Sequence, residues 1–311
     1  MPETLNMETV LITGGTGTIG TALTALLRSK GYKVIILSRG EHQSPDEHIS
    51  YAQWDIDKSY IDPLAIQSAD HIVHLAGAGI ADKRWTKKRK RLIVDSRVNS
   101  GNLIVKALAE SQNKVRTLVS ASGIGWYGED KKNGQPFKES DPAANNFLGE
   151  TCRVWEDSVR PVEDMGKKLV IFRTGLVFAN EGGAFPEFVK PMKYGIAAIL
   201  GSGRQIVSWI HIDDMVRAYL EAIENSNLKG IYNAVSREAV SNKQLTLKIG
   251  RARGKSFMAM HVPSFVLKVL FGEVSVEVLK STDVDGSKLR DSGFSLIYPT
   301  VDSAINSLLK K

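Results

Sequence analysis

The run Thr13-Gly14-Gly15-Thr16-Gly17-Thr18-Ile19-Gly20 joins an apolar stretch, Val10-Leu11-Ile12, to a segment where Ile19, Ala22, Leu23, Leu26 and Leu27 recur at helical spacing. Strand, glycine-rich turn and helix in that order suit the chemistry of a pyrophosphate. Gly14 can take the tight turn, Gly17 lacks the Cβ that would block a phosphate, and Gly20 lets the helix approach the strand. The helix N-terminus then offers unbonded N–H groups and the positive end of its dipole. Alone, such a string is also an ordinary turn; between a first strand and a first helix it predicts a dinucleotide site.

The end of the next strand selects the dinucleotide. NAD sites place Asp or Glu there for the ribose hydroxyls, whereas a 2′-phosphate needs a cation. Here the residues are Ser38-Arg39. Ser38 can donate to the phosphate, and Arg39 can pair with it or stack on the adenine. The expected cofactor is NADP; the competing reading is a solvated loop arginine, with Glu41 close by in sequence.

The elements that must hold these residues follow from periodicity. Val34–Leu37 is a continuous apolar run, as in a parallel strand buried on both faces. Strands are expected over Tyr51–Trp54, His71–Ala76, Val115–Ser120 and Leu169–Thr174, with long helices over 86–110 and 148–165. This alternation predicts an α/β fold, a Rossmann-type doubly wound parallel sheet. After Thr174 the alternation loosens around Gly182-Gly183, Gly201-Ser202-Gly203 and several prolines. Helix is expected from Asp213 to Glu224 and strand over Gly230–Val235. The domain reading is a dinucleotide-binding domain over 1–180, with 206–235 returning to it. A smaller, discontinuous C-terminal substrate lobe is expected over 181–205 and 236–311.

The 311 residues suffice for a large core, and 42% hydrophobic with 24% charged residues is ordinary for a globular chain. Cys152 is the only cysteine, so no disulfide framework exists within the chain and a reducing compartment fits. With no apolar leader and no long apolar span, the expectation is a cytoplasmic protein with no membrane partner. The net charge of +7 is local: Lys83, Arg84, Lys87, Lys88, Arg89, Lys90 and Arg91 leave 34 cations and 34 acids elsewhere. One aromatic, Trp85, interrupts that run and no recognition motif accompanies it, so no specific nucleic-acid site is expected. Attraction of an anionic cofactor accounts for it more simply. No His/Cys cluster has metal-ligand spacing.

The glycine motif, His74-Leu75-Ala76-Gly77, Arg173-Thr174-Gly175, Gly203-Arg204-Gln205 and Trp209-Ile210-His211-Ile212-Asp213-Asp214 resemble an extended short-chain dehydrogenase/reductase. With Gly149–Glu156 and the tail from Pro263 to Tyr298-Pro299, the whole chain resembles the atypical NAD-dependent epimerase/dehydratase proteins that carry a DUF1731-type C-terminus. The resemblance implies cofactor contacts at Thr16, Gly17, Thr18 and Ile19, at Ser38 and Arg39, and at Leu75, Ala76 and Gly77. It implies further contacts at Arg97 and at Val177, the latter near the nicotinamide; read from the residues alone, Arg97 is equally a solvated side chain. It also implies a homodimer through the two long helices.

The ordinary enzymes of that superfamily use a Tyr acidified by a Lys four residues later. Aligning Glu156 with the usual helix glutamate puts Leu148 and Cys152 at those positions, and neither can do that work. Tyr127 and Lys131 have the spacing but sit among Gly128, Asp130, Asn133 and Gly134, where no helix is expected. The catalytic residues are therefore unknown from sequence. Candidate substrate contacts are Ser122, where relatives keep a hydroxyl residue, Tyr127, Trp209 and His211. Against each stands a plainer role: Tyr127 and Trp209 as core, Cys152 as a small buried hydrophobe, and His211 leading into a helix N-capped by Asp213. Two functions compete. One is an oxidoreductase or epimerase on an unidentified small substrate, the other a non-catalytic sensor of NADP.

Overall fold

The computed structural model describes residues 7–310. Its first half runs β1 (Thr9–Thr13), α1 (Thr18–Ser29), β2 (Lys33–Ser38), β3 (Ile49–Asp55), β4 (Tyr60–Ile61), α2 (Pro63–Ser68), β5 (His71–His74), α3 (Lys87–Glu110), β6 (Thr117–Gly123), α4 (Phe147–Val159) and β7 (Lys168–Thr174). The second half runs β8 (Leu176–Phe178), α5 (Phe185–Met192), β9 (Ile196–Leu200), β10 (Ile206–Val207), β11 (Trp209–His211), α6 (Ile212–Glu224), β12 (Gly230–Ala234), β13 (Val240–Ser241), α7 (Asn242–Ala252), β14 (Met258–Val262), α8 (Ser264–Phe271), α9 (Val274–Leu279), α10 (Ser287–Asp291) and α11 (Val301–Leu309).

The main sheet has the order β12-β7-β6-β5-β1-β2-β3-β4, parallel throughout except for the short β4 hairpin against β3. Its strands are apolar on both faces because helices cover both. Val10, Ile12, Val34, Ile36 and Val73 pack with α1 and α6 on one side. Leu11, Leu37, Ile72 and Leu118 pack with Leu103, Ile104 and Leu108 of α3 and Val159 of α4 on the other. This is the α/β Rossmann-type sheet expected from the alternation. The chain passes from β1 to β2 on one side, and the later strand β5 fills the other side of β1. The register sets Thr13 opposite both Leu37 and His74, so the strand ends where the order reverses are level. Open parallel sheets bind ligands at that crevice.

Several boundaries differ from the sequence reading. The strand begun at His71 ends at His74, because Leu75 and Ala76 turn their N–H groups to the Thr13 hydroxyl. Helix α4 ends at Val159, not near 165: Pro161 has no N–H to continue the ladder, and a 3₁₀ turn, Arg160–Val162, takes over. Helix α6 is capped by His211, whose Nδ1 accepts from the Asp213 N–H, so Asp213 is a first-turn residue and not the cap.

Beyond β7, β8 pairs with β11, β10 with β13, and β9 with β14, while β12 joins the main sheet beside β7. A separate apolar cluster of Phe178, Phe185, Met192, Trp209, Leu245, Ile249, Val301 and Ile305 joins α5, α7 and α11 to β8 and β11. Among the described residues no helix is long and apolar enough to cross a membrane.

Candidate functional site

The glycine loop lies at the level ends of β1, β2 and β5. Gly14 has φ +69°, a left-handed conformation that favours glycine, and its carbonyl accepts from the Gly17 N–H at 3.0 Å. A Cβ on Gly20 would collide with the Gly14 carbonyl and the Gly15 backbone, so helix and loop meet only because Gly20 has none. Gly17 caps α1 without any side-chain bond, and no acid stands in the first turn. Thr16 and Gly17 are exposed, Thr18 and Ile19 half-buried. The first N–H groups of this helix therefore have no side-chain cap and no acid beside them in the first turn.

The loop beyond β5 is held by a buried clamp that the sequence reading did not assign. Thr13 Oγ1 accepts from the N–H groups of Leu75 and Ala76, each at 3.1 Å. Its own hydrogen therefore goes to His74 Nδ1 at 2.8 Å. His74 Nε2 then carries the ring hydrogen and donates to Ser100 Oγ at 3.3 Å, while Ser100 donates to the Ser96 carbonyl. Burial pulls the imidazole down to about 4, with Arg97 nearby pulling the same way, so it is neutral in this role. Leu75, Ala76 and Gly77 are held at the crevice by this chain of bonds. The only signal in the sequence was a histidine at the end of an apolar strand, which periodicity reads as core.

Arg97 on α3 reaches the same loop. Its Nη1 donates to the Ala78 and Ile93 carbonyls at 3.0 and 2.9 Å, and its guanidinium lies 4.9 Å from the Trp155 ring. A Cβ on Gly77 would come within 3.0 Å of Arg97 Cζ. The side chain is only 6% exposed yet no carboxylate pairs with it among the described residues, and burial pulls it down to about 10. It is not the solvated arginine of the alternative reading. A buried cation without an anion is costly unless a ligand supplies one.

Ser38 closes β2 and its hydroxyl accepts from the Gly40 N–H at 3.2 Å. Arg39 is exposed, and neither Glu41 nor any other described carboxylate pairs with it. Val177 on β8 is half-buried, and the following turn brings Gly182 hard against Thr18 of the glycine loop. Gly14, Ser38, Arg39 and Leu75 to Gly77 thus lie at or just beyond the level ends of β1, β2 and β5, with Arg97 against Gly77 and the turn after Val177 against Thr18.

The candidate substrate contacts fare differently. Ser122 lies at the end of β6 and donates to Glu156 Oε1 at 2.8 Å. Glu156 in turn receives Arg173 through two bonds, and Arg173 lies 3.5 Å from the Trp126 ring centroid. Tyr127 is fully buried; its hydroxyl donates to Asn233 Oδ1 at 2.7 Å and accepts from Arg173 at 3.2 Å. Burial pushes the phenol up to about 12, the direction opposite to that of an activated tyrosine. Lys131 turns away to Asp141 and the Pro136 carbonyl, so its spacing from Tyr127 is incidental. Trp209 is core: it stacks on Phe178 at 5.0 Å and donates to the Glu238 carbonyl. His211 is buried as a helix cap against Tyr298, 3.8 Å between centroids. Trp209 is 1% exposed and His211 2%, and His211 Nε2 is buried without a hydrogen-bond partner among the described residues. Leu148 and Cys152 are both buried on α4, and burial pushes the Cys152 thiol up to about 11, with Glu156 adding to the shift.

The family model described as "NAD dependent epimerase/dehydratase family" matches residues 10–234, and "Domain of unknown function (DUF1731)" matches 262–308. The chain is 35% identical over 298 residues to "Epimerase family protein Mb2239" of Mycobacterium bovis, covering 95% of this chain and 96% of the relative. It is 31% identical over 301 residues to "Epimerase family protein YfhF" of Bacillus subtilis, covering 96% and 97%. The structure of human epimerase family protein SDR39U1 with NADPH superposes with TM-score 0.86 at 26% identity, covering 97% of this chain and 99% of that one. UDP-glucuronic acid 4-epimerase from Bacillus cereus shares the fold, with TM-score 0.78 at 21% identity over 97% and 98% of the two chains. By its sequence from β1 through β12 and by its tail, the chain belongs to the NAD dependent epimerase/dehydratase family, in the branch that carries a C-terminal DUF1731 domain.

Proposed function

We propose that the protein binds NADP(H) along the crevice and acts as an oxidoreductase, or as an epimerase working by transient oxidation, on a small substrate without a Tyr-x-x-x-Lys pair. The observation that carries this reading is a pair of cations without carboxylate partners among the described residues, around a helix end with no side-chain cap: exposed Arg39 beyond β2 and buried Arg97 over the β5 loop. The 2′-phosphate would take Ser38 and Arg39, and the pyrophosphate the N–H groups from Thr16 to Ile19. Leu75, Ala76, Gly77 and Arg97 would hold the riboses, and Val177 would face the nicotinamide. A bound nicotinamide supplies hydride transfer; this chain binds it, orients it and keeps water from the Leu148–Cys152 side. Support comes from the human relative, whose structure was solved with NADPH.

The reading of a non-catalytic cofactor sensor has its own observation. Ser122, Tyr127 and His211, the candidate proton donors, each spend a polar atom on an internal bond. The remaining expectations belong to this reading as well: a cytoplasmic location, no sequence-specific nucleic acid, and a homodimer through the outer faces of α3 and α4, which pack side by side. Screening carbonyl compounds and nucleotide sugars for NADPH oxidation separates the two functions. Turnover that survives Tyr127→Phe supports the enzyme. Tight NADPH binding with no turnover on any class tested supports the sensor, and failure to bind NADPH at all defeats both.

A further inference from the structure

The basic run 83–91 and helix α8 touch each other. Arg84 donates through Nη2 to the Val269 carbonyl, and Lys90 pairs with Glu273 at the foot of α9. Of the eight residues of α8 only Leu267 is buried. Phe265 is 69% exposed, Val269 70%, Leu270 59% and Phe271 42%, and Val276 on α9 adds a fifth large apolar group at 56%. Single exposed apolar residues are ordinary, whereas this many on one short helix and its neighbour mark a contact surface. In the same basic run Lys83, Arg84, Lys87, Lys88 and Arg91 are exposed and have no carboxylate partner among the described residues, and Lys268 adds a cation on α8 itself.

We propose that this face docks on an anionic lipid surface, with the apolar side chains of α8 at the boundary of headgroups and acyl chains and the cations against lipid phosphates. Apolar groups ringed by Lys and Arg are what an interfacial helix uses, and anionic leaflets attract such clusters. Attraction of a free anionic dinucleotide accounts for the cations but leaves Phe265, Val269 and Leu270 without a partner. A second copy of the chain would cover the apolar side chains but would bring two sets of unpaired cations together, which is repulsive. The sequence pointed away from membranes because no segment spans one; lying on a surface requires no span.

Sedimentation with phosphatidylcholine vesicles, with and without phosphatidylglycerol, tests this directly. The full chain is expected to pellet only with the anionic vesicles at about 0.1 M salt and to be released at about 0.5 M, where charges are screened within a few ångströms. Neutralising Lys83, Lys87 and Lys88 to Gln should weaken binding roughly fivefold per cation, on the order of 100-fold together. Phe265→Ser/Leu270→Ser should weaken it by at least about tenfold, from the apolar area lost. Thermal midpoints are measured alongside to show that both variants fold. Equal binding to neutral vesicles, no binding to either kind, or binding that survives both sets of substitutions overturns the proposal. A dimer by light scattering that Phe265→Ser/Leu270→Ser dissociates, with no vesicle binding, assigns the face to a second copy instead.

Discussion

Arg173 meets Glu156 through two parallel bonds, Nε to Oε1 at 2.8 Å and Nη2 to Oε2 at 3.0 Å, with both side chains out of contact with water. Ser122 donates to the same Oε1, so its only hydrogen is committed inward. Whatever approaches that hydroxyl meets lone pairs, which accept from a substrate hydroxyl more readily than they serve a carbonyl oxygen. Removing one partner leaves the other charged and buried. Arg173→Leu or Glu156→Leu alone is expected to cost about 3–5 kcal/mol, and the double variant markedly less than the sum. Urea unfolding of the four proteins checks it; additive losses would show that the pair is not a unit.

Cofactor preference should reside in Arg39. Charge-assisted bonds to one phosphate are worth about 1.5–3 kcal/mol, or roughly 10- to 150-fold. Arg39→Ala is expected to lose that much affinity for NADPH by titration calorimetry while NADH binding changes little. Equal losses for both cofactors would remove the 2′-phosphate from the account.

Arg97 offers a test with opposite signs. Its buried guanidinium has no carboxylate partner among the described residues, so Arg97→Met should leave the thermal midpoint of the free protein unchanged or raised. The same substitution should weaken NADP(H) by about tenfold or more, since the ligand's anionic groups lose a buried cation. A variant that is destabilised but binds NADPH normally would assign Arg97 a purely structural role.

His74 makes the fold sensitive to acid. Its folded value, about 4, lies below the ordinary 6.5, so the fold favours the neutral ring. That stability is complete above 6.5 and is lost as pH falls from 6.5 through 4, because the unfolded chain binds the proton first. Burial shifts His71 and His211 downward too, so they add in the same direction. His74→Gln should flatten the decline in thermal midpoint between about pH 6.5 and 4 relative to the parent protein. An unchanged decline would place the sensitivity elsewhere.

The sequence by itself determined the sheet and the glycine loop, since these depend on local facts. Continuous apolar runs are buried strands wherever they fall, and the spacing Gly14, Gly17, Gly20 has meaning only at a strand-to-helix turn. The absence of a Tyr-x-x-x-Lys pair on α4 was legible for the same reason, as Leu148 and Cys152 occupy one short segment. Tertiary structure alone decided the fate of the isolated polar residues. Tyr127 and Asn233 lie 106 positions apart yet bond at 2.7 Å, and Thr13 and His74 close a clamp across 61. Trp209 became core and His211 a helix cap because of Phe178 and Tyr298, neighbours that no local pattern names. Arg97 reads in the sequence as a cofactor contact or a solvated side chain, and its burial beneath the loop beyond β5 appears only in the folded chain. A side chain's chemistry depends on what surrounds it in space, and periodicity reports only which face of its own element it occupies.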